Sequence, residues 1–85
     1  NVFARYEPTA GAADLEPGYA VTTDLNELGA GLVTFQHLPP GTPLALRIAG
    51  AGEDIRCAAT VVWCKEAAAD SVTGGKAYRV GLKFD

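Results

Sequence analysis

Hydrophobic and polar positions alternate along most of this chain. In the opening run, Val2, Ala4 and Tyr6 fall on one side and Phe3, Arg5 and Glu7 on the other. This predicts a strand that stops at Pro8, where the ring removes a ladder donor. Gly18–Thr23 reads as a second strand, with Tyr19, Val21 and Thr23 alternating with smaller or more polar residues. Ala30–Phe35 reads as a third and Leu44–Ala49 as a fourth, with Leu44, Leu46 and Ile48 inward and Arg47 outward. Ile55–Cys64 is the longest. One face carries Ile55, Cys57, Ala59, Val61 and Trp63; the other carries Arg56, Ala58, Thr60, Val62 and Cys64. Both faces turn apolar near its end, which predicts cover on both sides there or a tight curl. The last strand, Lys76–Phe84, is the cleanest: Tyr78, Val80, Leu82 and Phe84 alternate with Arg79, Gly81 and Lys83.

Turn and loop chemistry separates these runs. Pro17-Gly18 closes the first loop, and a short helical turn over Ala12–Glu16 is compatible with that loop's composition. Pro39-Pro40-Gly41 with Pro43 leaves no room for regular structure in the middle of the chain. Gly50–Asp54 is a turn, and Lys65–Gly75 is a polar loop ending in Gly74-Gly75. Six short strands without a helical period predict an all-β fold. For so few residues a small closed barrel avoids the exposed edges of an open sandwich. Gly81, in mid-strand, predicts a bend or a close approach by another group.

At 85 residues with 48% hydrophobic content, the chain is expected to form one folded domain over 1–85. A net charge of −3 disfavours binding to a nucleic-acid polymer but leaves room for a local basic patch around one anion. No apolar run approaches the length of a membrane span, so no direct membrane insertion is expected. Because the first residue is Asn, the expectation is a domain taken from a larger protein. Cys57 and Cys64 lie seven apart in one strand, hence on opposite faces if the strand is regular, and too far apart for a disulfide. Free buried thiols in a reducing, cytoplasmic compartment follow. No metal-ligand spacing is present, and neither a metal nor a cofactor is expected.

The chemistry concentrates in the turn Asp24-Leu25-Asn26-Glu27-Leu28-Gly29. It offers two carboxylates, one amide and bare backbone at Gly29 and Gly31. Asp24 and Glu27 share one turn without a cleft around them, and His37 has no nucleophile set against it, so enzyme activity is not expected.

Taken in order, four features resemble the PilZ domain family: the Asp24–Gly29 turn, Leu38-Pro39-Pro40-Gly41-Thr42, the strand ending Thr60-Val61-Val62-Trp63, and the closing Tyr78-Arg79-Val80-Gly81-Leu82-Lys83-Phe84. The likeness runs from about Tyr19 to Phe84. It implies a six-stranded antiparallel β-barrel, many relatives of which bind the bacterial second messenger cyclic di-GMP. In the family, binding uses an RxxxR segment ahead of the first strand and a D/N-x-S-x-x-G turn. Asp24 and Gly29 match the first and last positions of that turn, and Asn26 stands at the serine position. An RxxxR segment is missing from the chain; Arg5 is the nearest arginine, without a partner at Asn1 or Thr9.

Physically, a carboxylate such as Asp24 suits the donor edge of guanine, Asn26 can donate or accept, and Gly29 lets backbone come close. Arginine is the suited phosphate partner. Asp24, Asn26, Gly29, Arg5 and Arg79 are therefore the candidate ligand-binding residues. Without the arginine pair, this chain alone is expected to bind cyclic di-GMP weakly or not at all. Two functional readings stay open. One is a regulatory module that senses cyclic di-GMP and controls an attached or partner protein, as the family does in exopolysaccharide synthesis and motility. The other is a degenerate barrel that serves as a protein-interaction adaptor, with an exposed apolar patch around Phe35, Leu38 or Trp63.

Overall fold

Alternation along each run sets the inner and outer faces. The computed structural model describes residues 2–9, 15–50, 52, 54–67 and 75–85. The helical turn expected over Ala12–Glu16 falls mostly outside these residues, as does Gly74. Six strands form: β1 (Phe3–Pro8), β2 (Gly18–Leu25), β3 (Gly29–Thr34), β4 (Pro43–Ala49), β5 (Asp54–Glu66) and β6 (Tyr78–Phe84). They close into an antiparallel barrel in the order β1-β2-β3-β6-β5-β4, with β1 paired to β4. The all-β, six-stranded antiparallel barrel is thus the fold.

The inward set is Ala4 and Tyr6, Ala20 and Thr22, Leu32 and Thr34, Leu44, Leu46 and Ile48, Ala59 and Val61, and Val80 and Leu82. On β2 it is the smaller set that faces in, because Tyr6 and the leucines already fill the barrel; Tyr19 is 70% exposed. Leu38 is fully buried and plugs one end of the barrel. It therefore cannot belong to the apolar surface patch expected around Phe35, Leu38 and Trp63, whereas Phe35 remains exposed. The turn that carries Leu38 inward runs Pro39-Pro40-Gly41-Thr42. Pro40 fixes its first corner, Gly41 supplies φ 90°, and Thr42 N–H donates to the Pro39 carbonyl at 3.2 Å. This is a type II turn, whose second corner favours glycine. The Thr42 hydroxyl adds a 2.6 Å bond to the same carbonyl.

Two strands depart from strict alternation. The β2–β3 register slips between Thr22 and Asp24, and the β5–β6 register slips between Val61 and Trp63. Each slip inserts one extra residue, Thr23 or Val62, and bends its strand. On β5 the slip reverses every later side chain. Cys57 and Cys64 are consequently both packed against the core instead of lying on opposite faces, and both are free thiols. Of the two expectations for the Val62–Trp63 end, cover on both sides or a tight curl, the bend fits the second, since Val62 and Trp63 are 55% and 40% exposed. The strand then continues to Glu66, where a loop was expected, because Lys65 and Glu66 still pair with Arg79 and Tyr78.

Candidate functional site

The two slips aim two side chains at one outer wall of the barrel. A single lateral row crosses four strands there: Asp24 on β2, Gly31 on β3, Gly81 on β6 and Trp63 on β5, each paired with the next. The two central positions lack side chains, so the outer residues lean inward across them. The Asp24 carboxylate lies where a Gly31 side chain would stand, and the Trp63 indole Nε1 lies where a Gly81 side chain would stand. The outcome is a shallow groove with a peptide floor, a carboxylate at one end and an indole at the other. The Thr23 hydroxyl donates to Asp24 Oδ1 at 3.2 Å and helps fix the carboxylate.

Cations flank this floor. Arg79 and Lys83 occupy the outward positions on either side of Gly81 along β6, and both line the groove. Lys65, paired with Arg79 on the neighbouring strand, holds its ammonium 5.9 Å from the Trp63 ring centroid. That geometry places a positive charge over the face of the most electron-rich aromatic ring.

The β2–β3 turn forms one rim. Asn26 Oδ1 accepts from the Leu28 N–H at 2.8 Å and from the Gly29 N–H at 3.2 Å. Asn26 N–H donates to the Gly29 carbonyl at 3.0 Å. The side-chain oxygen is thus spent on the turn, and the amide NH2 is the part left to face outward. Gly29 is required by packing, since a side chain there would meet the Leu82 carbonyl.

The structure brings Asp24, Asn26, Gly29 and Arg79 together around the groove. It does not bring Arg5, which sits on β1 beside Tyr19 and Arg47, on the opposite side of the barrel. Trp63 and Lys83 were not among the site residues read from the sequence, whereas bare backbone at Gly31 and a close approach at Gly81 were read from it. The pattern Arg79-Val80-Gly81-Leu82-Lys83 held a signal for Lys83: a strand that puts two cations and a glycine on its outer face. Trp63 carried no such signal, because its facing depends on the slip at Val62.

The comparisons agree with the geometry. The PilZ domain family model matches residues 4–85, and the chain belongs to the PilZ domain family. PilZ domains are in general regulatory modules that bind cyclic di-GMP, and are not a catalytic family. No curated protein and no solved structure matches the chain. Among the described residues, no helix is long and apolar enough to cross a membrane.

Proposed function

We propose that this barrel is a bacterial, cytoplasmic sensor of cyclic di-GMP that acts on an attached domain or a partner protein. The supporting observation is the row Asp24–Gly31–Gly81–Trp63 with Arg79 and Lys83 beside it. Each part suits one feature of the ligand. The Asp24 carboxylate accepts from the N–H edge of a guanine. The indole and the bare peptide floor offer flat surfaces to a base. Arg79 and Lys83 supply donors for phosphate, with the arginine fork capable of a bidentate contact. Asn26 holds the turn and presents its NH2 group at the rim.

An RxxxR segment ahead of β1 would complete the phosphate side, so binding by this chain alone is weak. Ligand would then tie that segment to the groove and reposition whatever it joins. The test is an NMR titration of cyclic di-GMP into this chain and into the chain with an RxxxR segment joined ahead of Asn1. The expected outcome is that the extended form responds at Asp24, Asn26, Gly29 and Trp63 with much the higher affinity. Silence from both forms would reject a sensor.

The adaptor reading draws on the strongly exposed Leu28, Phe35, Phe3 and Tyr19. It predicts the same silence, together with self-association or partner capture that depends on those side chains.

A further inference from the structure

The opposite wall of the barrel carries a second lateral row. Tyr19 on β2 pairs with Arg5 on β1, Arg5 with Arg47 on β4, and Arg47 with Arg56 on β5. All four side chains are exposed on the outer face. Three of the chain's seven Lys and Arg residues therefore stand side by side, at the strand spacing of about 4.8 Å. Like charges directly opposite each other weaken a sheet, so the row carries a standing cost. Of these three arginines, only Arg47 has an ion pair among the described residues, a half-exposed contact of 3.8 Å with Asp54.

We propose that this row is a docking surface for an acidic, extended segment of a partner protein. Carboxylates on that segment would remove the repulsion between the arginines and gain forked contacts from each of them. The surroundings favour a peptide over a phosphate polymer. Ala45, Ala49 and Ala58 lie exposed beside the arginines and offer low apolar ground. Phe3 and Tyr19, each 70% exposed, border the row with aromatic surface of the kind enriched at protein interfaces. Glu7 lines a shallow groove together with Arg5, Arg47 and Arg56, and Asp54 pairs with Arg47, so the row suits carboxylates spaced along a peptide better than a continuous run of phosphates. The row is separate from the Asp24–Trp63 groove and can be occupied at the same time, so the inference does not depend on cyclic di-GMP.

The experiment is an NMR titration of the isotopically labelled chain with a short capped peptide of alternating glutamate and leucine, in low and in high salt. Saturable shifts are expected at Phe3, Arg5, Tyr19, Arg47 and Arg56, with none at Gly29–Leu32, and with affinity falling as salt rises. Each single Arg→Gln replacement in the row should weaken binding by about two- to fivefold. The double reversal Arg5→Glu with Arg47→Glu should abolish it while the melting transition stays cooperative. A matched lysine–leucine peptide should not bind. The proposal is overturned if the row stays silent, if shifts gather at Arg79 and Lys83 instead, or if the lysine peptide binds as well. Tighter binding of tripolyphosphate or a thymidine oligonucleotide at the row would overturn it in favour of a phosphate site.

Discussion

The indole Nε1 of Trp63 occupies the space that a side chain at position 81 would fill. Gly81 and Trp63 are paired across β6 and β5, so the ring rests on bare backbone and its outer face is available to the groove. Substituting Gly81→Ala should push the ring off its seat. Overpacking of this kind costs about 1–3 kcal/mol. Trp63 is the sole tryptophan, so its emission reports the move directly. A red-shifted spectrum with a lower melting temperature is expected; an unchanged spectrum would mean that the ring does not rest there.

Asn26 accepts two backbone N–H groups in the β2–β3 turn. Asn26→Ala should destabilise the barrel by about 1–3 kcal/mol, at about 0.5–1.5 kcal/mol for each of the two hydrogen bonds. Asn26→Ser, which restores the family's usual residue, should lose less, because a hydroxyl oxygen can still accept. Urea unfolding of the three proteins measures the difference. Equal stability of Ala and Asn at this position would show that the turn is held by its backbone alone.

In the proposed function, Asp24, Arg79 and Lys83 would make distinct contacts with cyclic di-GMP. In the chain extended by an RxxxR segment, Asp24→Ala, Arg79→Ala and Lys83→Ala should each lower affinity by about tenfold or more, as expected for loss of a charge-assisted hydrogen bond. Only the two cation variants should flatten the salt dependence, since Asp24 addresses a base. Calorimetry at two ionic strengths separates these effects, and a cation variant with wild-type affinity would remove that residue from the site.

Arg5 faces Arg47 directly. Arg5→Thr removes one like-charge pair and places a good strand former on β1. Stability should rise by about 0.2–1 kcal/mol in low salt. The gain should shrink in high salt, where the repulsion is screened. Thermal melts at the two salt concentrations provide the measurement; a loss of stability would mean that the Arg5 stem packs better than it repels.

Burial raises the Cys57 thiol above its ordinary value. The folded chain then holds that proton more tightly than the unfolded chain does. The resulting stability is complete below the unfolded pKa and is lost as pH rises through the folded one. Melting temperatures followed from neutral into alkaline pH should decline less steeply in Cys57→Ala than in the native chain. Parallel declines would assign the alkaline loss to other groups.

Much of this was legible in the chain itself. The six strands, the buried faces of β1, β4 and β6, and the Asp24–Gly29 turn all follow from period-2 alternation and from turn residues such as Pro40 and Gly41. The faces of β2 and of the end of β5 do not. Ala20 and Thr22 face inward because the barrel has no room for Tyr19, and room is a property of the closed fold. Trp63 faces outward because Val62 is inserted, and no residue type announces such an insertion. The two side chains that end the groove's central row, Asp24 and Trp63, both stand directly after a slip. Asp24 was legible all the same, from the chemistry of its turn, whereas the facing of Trp63 depends on the β5 slip alone and was hidden.

Val62 gives β5 something like a reading frame. Upstream of it, odd-numbered residues such as Ala59 and Val61 point inward; downstream, even-numbered Cys64 does so. Deleting this one exposed residue would join Val61 directly to Trp63 and leave a regular strand, with Trp63 still outward opposite Gly81 and Cys64 still paired with Val80. A regular strand that kept Val62 would instead drive the indole into a barrel already filled by Leu32 and Val80 and turn the cysteine out to water. The slip is therefore what absorbs a change of length, and a single-codon deletion at Val62 should do less harm than one elsewhere in β5, where every later side chain would change face.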